Sequence, residues 1–140
     1  MVEVLKPSDP VYCVRPAEIR KIAKRFLAGF SGDVLYAVKC NPECLMLQEL
    51  YDAGIRHFDT ASLPEIALVS KLFPDGQAYF MHPVKSRTAI STAHRLYGVR
   101  HYVVDHSAEL EKIQQEVPIG PETVVVVRIA VNNPGATYEL

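Results

Sequence analysis

Tyr36-Ala37-Val38-Lys39-Cys40-Asn41-Pro42 sets one cation at the end of an apolar run, immediately before an Asn-Pro turn. Burying an ammonium at the inner end of a strand is costly, so a lysine stands there when it has a task. A low-dielectric setting also lowers a lysine's pKa and frees its amine as a nucleophile toward carbonyl groups. The plain alternative is a strand-end lysine whose head reaches water. Either way, Asp33 to Lys39 reads as a strand, and Pro42 starts a helix that carries Leu45, Leu47 and Leu50 and closes at Gly54.

The same unit recurs on both sides of this stretch. Upstream, Val11 to Val14 is a short β-prone run, and Pro16 suits the first position of a helix whose apolar stripe runs through Ala28. Downstream, Arg56 to Ala61 is a strand, and Ser62 with Glu65 has the spacing of a capping box for a helix to about Phe73. Ala78 to His82 is a strand and Ser86 to Tyr97 a helix stopped by Gly98. Tyr102 to Asp105 is a strand, Ser107 caps a helix to about Glu116, and Thr123 to Val131 is a long strand followed by a turn at Asn132 to Gly135. Val124 to Val127 is apolar on both faces, as a parallel strand covered by helices should be. Alternating strands and helices mean right-handed βαβ units and a parallel sheet. The pattern leaves a doubly wound sheet and a (β/α)8 barrel equally open.

The chain of 140 residues is long enough for one domain with a core, and 49% hydrophobic with 22% charged residues fits a folded globular class. A net charge of −1 offers no field for nucleic acid or an anionic membrane. Cys13, Cys40 and Cys44 have neither disulfide-framework nor zinc-ligand spacing, and read as small buried apolar residues in a reducing cytoplasm. No metal site is expected. No apolar run approaches the ~18 residues of a membrane span.

The Lys39 stretch resembles the cofactor-lysine motif of the fold-type III, pyridoxal-phosphate (PLP) dependent basic amino-acid decarboxylases, the ornithine decarboxylase family. Its Cys40-Asn41 ending is most similar to ornithine and lysine/ornithine decarboxylases. Phe58-Asp59-Thr60-Ala61-Ser62 with Glu65 resembles the family's FD-x-AS-x-x-E block, and Val127-Arg128-Ile129 its LRI strand. His82-Pro83-Val84-Lys85 resembles its NPxK block, with His in place of the usual Asn. The resemblance implies an α/β fold: the first five strands of a (β/α)8 PLP-binding barrel of the alanine racemase-like type, in residues 16–140, preceded in residues 1–15 by a short strand from a separate β-domain.

It also implies roles. Lys39 would be the lysine to which the cofactor's aldehyde attaches, and Asp59, Glu65 and Arg128 would surround the cofactor. Glu65 also reads as the capping-box partner of Ser62, Asp59 as a strand-end cap, and Arg128 as a strand arginine that must pair with an anion. Lys85 reads as a structural or interface charge. His57, His94, His101 and His106 show no ligand pattern and read as surface or strand-flank residues. In both parallel architectures the site lies at the carboxyl ends of the strands, where Lys39, Asp59, Ala61, His82, Asp105 and Arg128 fall.

The implied activity is decarboxylation of L-ornithine and/or L-lysine to putrescine or cadaverine, in polyamine biosynthesis, by a homodimeric cytoplasmic lyase. A complete barrel needs roughly 200 residues or more. The chain is therefore expected to be an N-terminal piece, inactive by itself, with open sheet edges and an uncovered apolar face. Its glycines are isolated, so no phosphate-cradling loop is seen, and the missing C-terminal half becomes an expected partner. The competing reading is a non-catalytic relative or fragment that acts as a binding or regulatory module.

Overall fold

A computed structural model describes residues 2–118 and 120–130. Five parallel strands form one sheet in the order β1-β2-β3-β4-β5. They are β1 (Leu35–Ala37), β2 (His57–Thr60), β3 (Gln77–Phe80), β4 (His101–Val104) and β5 (Val124–Val127). Helix α1 is a single turn at Val2–Leu5, and α2 (Pro16–Gly29) precedes β1. The crossovers are α3 (Cys44–Ala53), α4 (Leu63–Leu72), α5 (Arg87–Tyr97) and α6 (Ser107–Glu116).

Strand order decides between the two architectures that pattern left open. A doubly wound sheet reverses its order at a switch point. Here every strand pairs with its sequence neighbour, so right-handed crossovers put all the helices on one side. Consecutive helices accordingly pack on each other: α2 on α3, α4 on α5, α5 on α6. The result is an arc of a (β/α) barrel.

Two apolar clusters lie between sheet and helices. Val38, Leu47, Phe58, Val69 and Phe73 form one, and Ile66, Phe80, Ile90, Tyr102 and Ile113 the other. Phe58 and Phe73 stack with ring centroids 5.3 Å apart. Because strand side chains alternate, Asp59, next to Phe58, points to the helix-free face. Thr60 is fully buried and donates its hydroxyl to the Tyr79 carbonyl at 2.7 Å. Gly54 (φ 116°) and Gly98 (φ 65°) end α3 and α5 in the left-handed conformation that glycine adopts at no steric cost.

Several local expectations are corrected. Val11 to Val14 forms no strand: it pairs with no strand among the described residues, and Tyr12 is fully exposed. Ser62 makes no capping bond; Glu65 instead accepts the Ala61 N–H at 2.8 Å, one residue further back. His106, not Ser107, caps α6, its imidazole accepting the Ala108 N–H at 3.1 Å. β5 is shorter than expected and uncovered: Val124, Val126 and Val127 are exposed, since no helix among the described residues follows it. The expected Asn132–Gly135 turn lies outside the described residues. Cys13, Cys40 and Cys44 are all exposed and not buried, because they fall in connections and at the first position of α3. No helix among the described residues is long and apolar enough to cross a membrane.

Candidate functional site

The carboxyl ends of the strands form one rim. After β1 the chain turns through a short 3-10 segment, Val38–Cys40, which puts Lys39 two residues beyond the strand. Val38 is fully buried and anchors the turn in the core. The Asn41 N–H donates to the Val38 carbonyl at 3.1 Å, and the Tyr36 hydroxyl braces the Asn41 carbonyl at 3.4 Å. Asn41 Oδ1 accepts the Glu43 N–H at 3.1 Å, an Asx turn that leads into α3. Lys39 itself is exposed. The burial expected for it is absent, because nothing among the described residues covers the helix-free face of the sheet. Its amine is open to a ligand arriving from that side.

Asp59 stands opposite Ala37 in the β1–β2 register and is half-buried. Burial pushes its carboxyl above the usual aspartate range; the Lys39 charge draws it back, and the Glu65 charge pushes it up again. These three groups therefore share one electrostatic neighbourhood. Glu65, in the first turn of α4, is oriented by the Ala61 N–H, so a backbone bond fixes where its second oxygen points.

Arg128 follows β5 directly, and its N–H donates to the Val104 carbonyl at 2.7 Å. The anion partner expected for its side chain is not found: Arg128 is exposed and has no ion pair among the described residues. It lies beyond β5, not inside it, so solvent takes the place of a buried counter-charge. It is three strands away from Asp59 in the sheet order, and no contact joins it to the Lys39 group.

His82, Asp105 and Ala61 also fall just past their strands. His82 is exposed, and its Nδ1 meets the backbone of Val84, 2.7 Å from the carbonyl and 3.2 Å from the N–H. Lys85 is buried, pinned to backbone carbonyls and paired with Glu109 at 3.7 Å. That agrees with a structural charge.

One group went unrecognised in the sequence. His57, Tyr79 and His101 line up across three strands on the helix-free face. The Tyr79 hydroxyl lies 3.0 Å from His57 Nδ1, and the Tyr79 ring stacks on His101 at 4.1 Å. Asp33 reaches His57 Nε2 at 3.4 Å. Burial lowers the His101 pKa and raises that of Tyr79. The only sequence signal was two histidines at equivalent strand starts; the register that unites them is not written in one strand. No cluster of three or more metal-ligating side chains occurs among the described residues.

The donor set suits a carbonyl compound that carries negative charge. Near the ends of β1 and β2 stand one open primary amine and two carboxylates within reach of its charge; the exposed Arg128 guanidinium lies apart from them, past β5. Comparison with known proteins identifies the family. Residues 16–140 match the family model described as "Pyridoxal-dependent decarboxylase, pyridoxal binding domain". The chain is 38% identical over 108 residues to the lysine/ornithine decarboxylase of Selenomonas ruminantium, covering 76% of this chain and 26% of that protein. It is 35% identical over 105 residues to the ornithine decarboxylase of Panagrellus redivivus, covering 75% and 23% respectively. Among solved structures, the arginine decarboxylase of Paramecium bursaria Chlorella virus bound to agmatine superposes with a TM-score of 0.82 at 27% identity, over 99% of this chain and 37% of that one. The chain thus spans about a quarter of the length of the curated relatives it matches.

Proposed function

Because the chain belongs to the pyridoxal-dependent decarboxylase family and carries that family's pyridoxal-binding domain, we propose that it serves the decarboxylation of L-ornithine and/or L-lysine, giving putrescine or cadaverine. The cofactor is pyridoxal phosphate, which when bound supplies the electron sink for loss of CO2. The narrowing to these two substrates rests on the names of the relatives, among them lysine/ornithine and ornithine decarboxylases, and on the Cys40-Asn41 ending of the lysine motif.

What supports the reading is the charge arrangement at the ends of β1 and β2. Lys39 offers an accessible amine to the cofactor's aldehyde. Asp59 lies near enough for the Lys39 charge to draw its raised pKa back down, and on this reading it would hold and orient the lysine. Glu65, oriented by the Ala61 N–H, adds negative potential at the same point. The exposed Arg128 offers a cation to an anionic group of cofactor or substrate. The residues therefore fit the aldehyde side of the cofactor, while the isolated glycines provide no phosphate cradle. By the same reading, the whole protein acts as a homodimer in the cytoplasm, with the rest of the barrel completing the site.

The test is CO2 release from carboxyl-labelled L-ornithine, L-lysine and L-arginine by the whole protein supplied with pyridoxal phosphate. Release from ornithine or lysine, abolished in Lys39→Ala, is the expected result. Release from none of the three, or from arginine alone, would overturn the assignment.

A further inference from the structure

Lys85 is the one cation among the buried side chains of the described residues. Its ammonium donates to the carbonyls of His82 (3.0 Å), Pro83 (2.9 Å) and Val103 (2.6 Å). Three donors meet three acceptors, so the group is saturated. Glu109 balances its charge at 3.7 Å and also accepts the Lys85 N–H at 3.3 Å. Lys112 pairs with Glu109 and donates to the Lys85 carbonyl at 2.6 Å. Main chain and side chain of Lys85 are thus both tied down.

Plain packing does not call for this arrangement, since a hydrophobic side chain of similar volume in place of a buried ion pair is often neutral or stabilising. What the ammonium adds is geometry. Two of its acceptors belong to the connection between β3 and α5, and the third to β4. It ties a rim connection to the neighbouring strand. Without it, His82 is held by its own turn alone. Just before His82, the Met81 N–H donates to the Thr60 carbonyl at 2.9 Å, beside the Ala61 N–H that orients Glu65.

We propose that Lys85 is a positioning residue of the cofactor site: its clamp on His82, Pro83 and Val103 holds the β3–α5 connection, and with it the His82 imidazole, on the rim that Lys39, Asp59 and Glu65 share. The inference rests on the cofactor reading above. Its test uses Lys85→Met, the double variant Lys85→Met/Glu109→Gln, and Lys112→Met in the whole protein. In the single variant Glu109 keeps Lys112 as its only cation among the described residues; the double variant removes the buried carboxylate's charge together with the ammonium and so separates loss of the clamp from loss of charge balance. Lys112→Met cuts the tie to the Lys85 carbonyl and the ion pair with Glu109, from a partly exposed side chain, and leaves the Lys85 ammonium and its three carbonyls in place. Two quantities are read: the pyridoxal phosphate concentration that half-saturates borohydride-fixed labelling of Lys39, and amide exchange of residues 81–86. The double variant should unfold near the wild-type midpoint, yet need at least tenfold more cofactor and exchange at least tenfold faster at 81–86. Lys112→Met should show about threefold changes in both. A double variant or a Lys112→Met protein within the error of wild type on both readouts overturns the positioning role, because a merely structural lysine predicts recovery of labelling with stability. A wild type that fails to label Lys39 overturns the cofactor reading itself, and this inference with it.

Discussion

Replacing Phe73 with alanine should loosen β2 from behind and with it the strand that carries Asp59. Phe73 is 1% exposed and lies at the centre of a stack. Its ring is parallel to Phe58 at 5.3 Å and to Tyr51 at 4.4 Å, and the Arg56 guanidinium covers Tyr51 at 3.9 Å. Truncating a buried phenylalanine to alanine costs about 3–5 kcal/mol. Two stacked pairs, each adding about 0.5–1.5 kcal/mol beyond area burial, place this site in the upper part of that range, about 4–5 kcal/mol. Phe73→Leu keeps most of the volume and loses only the ring pairs, about 1–3 kcal/mol. Against a whole-domain stability of roughly 5–15 kcal/mol, the alanine variant should lie near the limit of folding. Urea unfolding followed by far-ultraviolet circular dichroism measures both variants. A loss under about 2 kcal/mol for Phe73→Ala, or equal losses for alanine and leucine, would refute the claim that the stack anchors β2.

Further expectations concern individual groups. Burial raises the Asp59 pKa, so the folded protein resists an ionisation that the unfolded chain accepts. That penalty is absent below the unfolded carboxylate range and complete above the folded value. Asp59→Asn should therefore raise stability at neutral pH, and not at acid pH, while weakening cofactor labelling of Lys39; a loss of stability at pH 7 would contradict this. The His101 pKa is lowered by burial, helped by the His57 charge and opposed by Asp33. The unfolded chain then binds a proton that the folded protein resists, so stability falls as pH drops through the ordinary histidine value toward the lowered one. His101→Phe, which keeps a ring on Tyr79, should flatten that fall in thermal melts between pH 7 and 5. Thr60→Val removes the buried hydroxyl bond to Tyr79 and should cost about 0.5–1.5 kcal/mol by urea titration, with an unchanged midpoint counting against it.

Much of the architecture was legible because βαβ units write themselves as apolar runs between Gly, Pro and Asn punctuation. All five barrel strands and the five helices from Pro16 onward fall where periodicity put them, within a few residues. The four-residue turn at Val2–Leu5 carries no such period and was missed. Strand order carries no one-dimensional signature, so the choice of barrel over doubly wound sheet waited for β1-β2-β3-β4-β5 or for the motif resemblance. Caps were misplaced where a neighbour competed: Glu65 took the Ala61 N–H in place of a bond with Ser62, and the His106 ring reached α6 before Ser107. The cysteines were misjudged because average burial says nothing about a residue in a connection. At the site, four motifs named the candidate residues, and the family match over 16–140 agrees with the resemblance that those motifs carry. Their environment was not. Exposure of Lys39 and Arg128 depends on which face of the sheet is covered, and the His57–Tyr79–His101 ladder depends on register across three strands.

The central claim is that Lys39 is the residue that takes the cofactor. Its most direct test is to add pyridoxal phosphate, reduce with borohydride, and map the pyridoxyl-bearing peptide by mass spectrometry, with Lys39→Ala as control. The account predicts label on Lys39 alone, lost in the variant. Label spread over the other lysines of the chain, or label undiminished in Lys39→Ala, would contradict it.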